Sequence, residues 1–407
     1  MAGRHFLFVP GPTNVPDRVL RAMHRPMADH RSSAFPELTS GLLRDLRPIF
    51  GTTTGTPVVF PATGTGGWEA ALVNCCRPGD RLLAVRNGQF SHLFVDAATR
   101  LGFDVETIDV EWGEAVPADA VAERLAADRG HRIRAVLVVH NETATGVTSD
   151  VGAVREALDG SHHPALLFVD GVSSIGSLAF ELDRWEVDVA ITGSQKGLML
   201  PAGLCILCLS PRVRDLVEAG SGGPRAFFDL RPMLQSNADG YFPYTPALSL
   251  LYGLRESLDM LAEEGLPNVH VRHRRLADGV RAAVAAWGLD LLARDPAARS
   301  NTVSAVVAPE GVDARAVIDV AFRRYDLSLG GGLARLAGRV FRIGHMGDVN
   351  ELMLLGALAG VELSLVDVGV PIELGAGVAA AQQRWRRDAD DAADAGAPGA
   401  RVAAAGR

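Results

Sequence analysis

Residues 165–198 read ALLFVDGVSSIGSLAFELDRWEVDVAITGSQKGL. The stretch holds two short apolar runs, 165–170 and 189–192, with the length and β-branched content of buried strands. Each run leads into a residue that is expensive to desolvate: Asp170 closes the first, and Lys196 follows the second after Gly193, Ser194 and Gln195. The ordinary readings are a carboxylate capping the next turn and a surface lysine. Taken together, the two fit a shared site better. Small neighbours leave room beside Lys196, and a desolvated lysine of lowered pKa is the usual Schiff-base nucleophile. Asp170 then needs a cationic partner, which the protonated nitrogen of a bound heterocycle supplies.

The pattern continues on both sides. VVF (58–60), LLAV (82–85), VETIDV (105–110), AVLVVH (135–140) and CILCLS (205–210) are further strand candidates, separated by helical patterns such as Phe90–Leu101. Strands joined by crossovers of this length imply an α/β fold with a mainly parallel sheet flanked by helices. In such sheets ligands lie at the carboxyl ends of the strands. A helix-rich connection (246–285) leads to a second αβ pattern built from TVSAVVAP, VDARAVIDVAFRRY, RVFRIG and NELMLLGALAGVELSL. The chain is expected to divide into an N-terminal arm (1–20), a large ligand-binding domain (21–255), a smaller C-terminal domain (256–385) and a tail (386–407). The tail's Ala, Asp, Gly and Arg content points to disorder.

Two more strand ends carry chemistry. ATGTGGWE (62–69) offers glycine-flanked backbone N–H groups at a helix start, the arrangement that cups an anion. It is neither a P-loop nor a G-x-G-x-x-G dinucleotide turn. NGQFSH (87–92) places Phe90 where an aromatic can stack on a flat ring, although most phenylalanines are simply core.

The net charge of −8 is modest for 407 residues and argues against nucleic-acid binding. Four cysteines are too few for a disulfide framework, and Cys205 and Cys208, three apart on a strand, face opposite ways. Neither a metal site nor a membrane partner is expected. Pro10, Gly11 and Pro12 interrupt the N-terminal apolar patch too early for a signal peptide, so the expected location is cytoplasmic.

These segments resemble the class V (fold-type I) aminotransferases, in particular the serine–glyoxylate and alanine–glyoxylate group. The likeness runs through PGPTNVP (10–16), GTGGWEAALVN (64–74), NGQFSHL (87–93), HNETATGV (140–147), VDGVSSIG (169–176) and GSQKGL (193–198). It continues in YFPYTPALSLLYGLRESL (241–258) and FRIGHMGDVNELMLLGALAGVEL (341–363).

The resemblance implies pyridoxal 5′-phosphate as cofactor, with Lys196 as its covalent carrier and Asp170 on the pyridine nitrogen. Phe90 is implied on the ring, Thr143 at the ring's 3-oxygen, and Thr65, Gly66, Gly67, Val172 and Gln195 around the cofactor. It further implies a homodimer in which Thr245 reaches the neighbouring subunit's phosphate. Arg342 becomes the clamp for the substrate carboxylate, with Gly11 beside it. The resemblance also implies that the arm (1–20) lies over the active site, which makes His30 and Arg31 candidates for a second carboxylate or else an ordinary charge cluster, and His345 a further candidate or else a satisfied structural histidine.

The expected reaction is ping-pong transamination from an L-amino acid, serine first, to glyoxylate. Aspartate or alanine as donor is the alternative. Another fold-type I enzyme, such as an aminoethylphosphonate transaminase, would differ only in its substrate pocket. A cysteine desulfurase would need a mobile loop cysteine, and a non-enzymatic α/β binding protein would carry no lysine-bound chromophore.

Overall fold

The computed structural model describes residues 3–394. Thirteen strands occur among them. In chain order they are β1 (Phe6–Phe8), β2 (Thr56–Phe60), β3 (Arg81–Arg86), β4 (Asp104–Asp109), β5 (Ile133–Val139), β6 (Asn141–Glu142) and β7 (Val147–Thr148). β8 (Leu166–Asp170), β9 (Val189–Gly193), β10 (Cys205–Leu209), β11 (Val303–Val307), β12 (Leu327–Gly331) and β13 (Val340–Gly344) follow. The large sheet has the order β2-β10-β9-β8-β5-β3-β4.

β10 is antiparallel to both its neighbours, and the remaining pairs are parallel. An inserted antiparallel strand leaves β2 running in the same sense as β9. Six strands therefore end on one edge, and every chemistry-bearing segment of the large sheet emerges there. β8, β9 and β10 are buried throughout, which explains why they read as unbroken apolar runs rather than as alternating patterns.

Gly67 shows how closely the layers approach. A Cβ on it would lie 2.5 Å from Cys205 Sγ and 2.6 Å from an Ile191 methyl carbon. Only a residue without a side chain lets the helix Gly64–Cys75 settle so near β9 and β10.

The second sheet has the order β1-β12-β13-β11. Two of its strands escape the periodicity reading. β1 is three residues long, and β12, LSLGG, ends in glycines that carry no apolar signal. The arm thus contributes a strand to the C-terminal sheet, and its helix Asp17–Met23 packs on the helix Leu248–Glu264. This second sheet has its own core around Phe341, Ile343, Leu358 and Trp385.

A described helix crosses residue 386, where the disordered tail was expected to begin. The helix Ala376–Asp394 continues through that point, anchored by Trp385, which is buried and donates from Nε1 to Arg275 O at 2.7 Å. Composition alone missed it because one tryptophan and a glutamate elsewhere hold the helix down. Glu362, buried, accepts from the backbone N–H groups of Gly375 and Gly377. The remainder of the expected tail, 395–407, lies outside the described residues.

Candidate active site

A cavity of about 320 Å³ opens at the carboxyl edge of the large sheet. Its walls come from the turns after β2, β3, β5, β8 and β9, with Gly11 and Pro12 of the arm closing one side.

At one end lies Asp170. Its Oδ1 accepts from Val172 N at 2.8 Å and its Oδ2 from Trp68 Nε1 at 2.9 Å. Burial pushes the carboxyl up to about 6, against the opposing pull of these two donors and of Lys196. A carboxylate held this way lacks a cation on its open side. At the other end the helix Gly64–Cys75 begins. Its N-cap Thr63 is extended and places no side-chain oxygen on the first turn, so the leading N–H groups remain available to an anion. Gln195 folds against this turn, and its buried Oε1 has no hydrogen-bond partner.

Lys196 sits between the two ends, 7% exposed, with Nζ donating to Pro10 O. Burial lowers its pKa to about 8, assisted by the charge of Arg342, while Asp170 opposes the shift. Roughly a tenth of the amine is therefore unprotonated at pH 7, far more than for an ordinary lysine. Gly11, at φ +105°, comes so close that a Cβ there would meet Lys196 Nζ at 2.3 Å. The arm can pass over the lysine only as glycine.

Arg342, on β13 of the small sheet, is buried. It donates from Nε to Gly331 O (2.9 Å) and from Nη1 to Thr143 O (3.1 Å). Nη2 has no protein acceptor among the described residues. Burial lowers the guanidinium pKa to about 10, and Glu142 is the acid whose charge resists that shift. A fixed, under-compensated guanidinium beside a cavity is suited to a carboxylate.

The residues fit pyridoxal phosphate on these observations. Asp170 would face the ring nitrogen, Phe90 and Val172 line the ring's space, and Thr65 with the helix start would hold the phosphate beside Gln195.

Not every expected residue reaches the cavity. Thr63, Gly64 and Thr65 line it, whereas Gly66 faces Phe228 and Gly67 packs on the sheet. For His345 the structure matches the structural alternative. It is completely buried, with ring atoms 3.1 Å from Ser304 Oγ and from Asn301 O, and burial lowers its pKa to about 3. It is a neutral structural histidine and offers no charge to a second carboxylate. His30 packs edge-on to Phe35, Arg31 is exposed beside Asp29, and Thr245 is exposed in the loop before the helix Leu248–Glu264. None of the three lines the cavity within one chain.

Sequence reading missed Trp68 as the partner of Asp170, although four residues after Gly64 is the spacing that returns a side chain to the same helix face. It also missed Glu142. This fully buried carboxylate accepts from the backbone N–H groups of Phe90, Ser91 and Ala144 at 2.9–3.0 Å, tying the Phe90 wall to the Thr143 turn. The available signal was a lone acid between an apolar strand and a Thr/Gly turn.

All four cysteines are buried and unpaired in or at the ends of helix and strand, and burial raises every thiol pKa. A mobile nucleophilic cysteine is not available from them.

Residues 5–328 match the family Aminotransferase class-V. The serine–glyoxylate aminotransferase of Methylorubrum extorquens is 57% identical over 95% of this chain and 97% of its own length. The L-aspartate–glyoxylate aminotransferase of Paracoccus denitrificans is 50% identical over 95% of this chain and 98% of its own. Among solved structures, the alanine–glyoxylate aminotransferase of Nostoc sp. superposes with TM-score 0.83 at 31% identity, covering 90% of this chain and 96% of that one.

Proposed function

The chain belongs to the class V aminotransferases, and from that premise we propose that it moves the amino group of L-serine to glyoxylate, releasing hydroxypyruvate and glycine. It is a pyridoxal-phosphate enzyme. The observation that carries the donor assignment is the charge inventory of the cavity. Lys196 is the cation in its lining and Arg342 stands beside it, so one α-carboxylate is matched and a second is not. The 57% identity to a serine–glyoxylate aminotransferase agrees with that reading.

When bound, the cofactor draws electrons from the substrate's Cα and stores the amino group between the two half-reactions. Arg342 Nη2 takes the substrate carboxylate and fixes the Cα beside Lys196. Lys196 Nζ, unprotonated in a useful fraction because of burial, takes the Cα proton and later returns it as acid. Asp170, with two donors on its oxygens, would pair with the ring nitrogen and hold a proton there, which would keep the ring electron-accepting. The arm at Gly11 and Pro12 limits water. The second half-reaction runs the same residues in reverse with glyoxylate, giving ping-pong kinetics.

L-Aspartate is the second donor, favoured by the 50% identical relative that uses it. It would need a cation from outside this chain's cavity. His30, Arg31 and Thr245 stand away from their own chain's cavity, which is consistent with a homodimer whose partner completes the site. Four unpaired cysteines suit a reducing, cytoplasmic setting. Initial rates with glyoxylate and L-serine, L-aspartate or L-alanine test the assignment. Serine leading supports it, and aspartate leading replaces it.

A further inference from the structure

Glu142 is a fully buried acid to which the transamination chemistry above gives no part. Its Oε2 accepts from Phe90 N at 3.0 Å and from Ser91 N at 2.9 Å, and its Oε1 accepts from Ala144 N at 3.0 Å. Phe90 and Ser91 open the helix Gln89–Arg100, whose N-cap residue is Gly88. Glycine brings no side-chain acceptor to the orphan N–H groups of a first turn. The acceptor comes instead from a distant part of the chain, as a carboxylate at the positive end of the helix dipole.

Gly88 is glycine for the same reason. Its backbone is extended, which any residue adopts, yet a Cβ there would lie 2.2 Å from Glu142 Cγ and 2.3 Å from Cδ. The position is kept bare so that the carboxylate can reach the helix.

The same carboxylate pins the turn that anchors the substrate clamp. Glu142 enters this turn as the end of β6, and Ala144 donates back to its side chain. The carbonyl between them, Thr143 O, accepts from Arg342 Nη1 at 3.1 Å. Fixing both flanks of one residue fixes where its carbonyl points. Every donor in this chain of contacts is a backbone N–H or a guanidinium, and every acceptor is a carboxylate or a carbonyl, so the directions are set. Glu142 is also the acid whose charge acts on Arg342.

We propose that Glu142 is a positioning residue: its carboxylate holds Phe90, the wall for the cofactor ring, and Thr143 O, the anchor of the carboxylate clamp, in one register. The inference rests on the transaminase reading above and deepens it, because ring binding and substrate binding then depend on one buried acid.

Two variants reach this carboxylate from opposite sides. Glu142→Gln keeps its shape and removes its charge and one acceptor oxygen. Gly88→Ala keeps the carboxylate and drives a methyl into it. For each, equilibrium dialysis gives the affinity of the apoprotein for pyridoxal phosphate. Calorimetry gives the affinity of the holoenzyme for propionate, a carboxylate with no amino group to react. Thermal unfolding gives the stability. Each variant is expected to weaken both ligands by about tenfold, the worth of one charged hydrogen bond. Since both act on the same group, the double variant should lose little more than either single one.

A lower unfolding temperature with both affinities unchanged overturns the proposal and leaves Glu142 as a helix cap. Weakening of one ligand alone overturns it too, because wall and clamp are then held separately. Additive losses in the double variant do the same. Should Glu142→Gln not fold, Gly88→Ala decides on the same two affinities. If both ligands weaken as expected while wild type transfers no nitrogen from serine to glyoxylate, the donor assignment fails and the positioning role stands.

Discussion

Trp68 Nε1 donates to Asp170 Oδ2 across 2.9 Å, so the helix that presents its N-terminus to an anion also holds the carboxylate at the opposite end of the cavity. One rigid element thereby sets the distance between the two charged ends of the cofactor. Stacking of Trp68 on Phe94, with centroids 5.2 Å apart, fixes the indole's own orientation. Replacing Trp68 with Phe keeps much of the packing and removes the donor. The Asp170 carboxyl should then titrate higher, and cofactor affinity should fall by roughly tenfold, the worth of one charged hydrogen bond. Equilibrium dialysis of the cofactor measures it, and an unchanged affinity would detach the indole from this role.

Lys196→Ala should remove the borohydride-reducible visible chromophore and depress transamination by several orders of magnitude. A chromophore that survives and can still be reduced would assign the covalent link to another amine.

Arg342→Ala should raise the apparent KM for amino donors, with a loss of roughly 2–5 kcal/mol, since it leaves the substrate carboxylate without a buried partner. Arg342→Lys should recover little, because one ammonium cannot hold Gly331 O and Thr143 O and still reach the substrate. Steady-state kinetics with serine distinguish the outcomes, and unchanged donor constants would remove Arg342 from the site.

The buried Lys196 makes apoprotein stability depend on pH in a defined window. Its folded pKa, about 8, lies below the ordinary 10.5. Below pH 8 both folded and unfolded chains hold the proton, and the full penalty for burying the charge applies. Between pH 8 and 10.5 the unfolded state binds more protons, so stability rises with pH. Lys196→Met, which carries no charge, should therefore be more stable than wild-type apoprotein by on the order of 3 kcal/mol below pH 8. The gap should close as pH approaches 10.5. Chemical denaturation at pH 7 and pH 10 checks this, and a gap independent of pH would contradict the buried charge.

Two alanine substitutions at glycines should separate catalysis from folding. Gly67→Ala drives a methyl into Cys205 and Ile191 and should cost about 1–3 kcal/mol of stability. Gly11→Ala strains a backbone at φ +105° and displaces Lys196 Nζ, so its loss should appear chiefly in kcat. Thermal unfolding alongside turnover for both variants shows whether the effects divide in this way.

The sequence by itself determined the strands of the large sheet, their order in the chain and the residues that follow them. Asp170 and Lys196 stood out because a charge at the end of an apolar run has a desolvation cost visible in one dimension. The likeness of ordered motifs extended that reading to the family and to Arg342. What sequence could not supply were the relationships that depend on distance between remote segments. His345 reads equally as a cation beside the clamp or as a structural histidine, and tertiary burial against Ser304 and Asn301 makes it the neutral one. Glu142 reads as one acid in a turn, yet three backbone donors converge on it only after folding. The helix before residue 386 reads as an Ala-rich run with little to bury, yet Trp385 and Glu362 hold it against the small sheet's core. Local pattern records what a residue would cost to bury; only the folded chain decides which groups arrive to offset that cost.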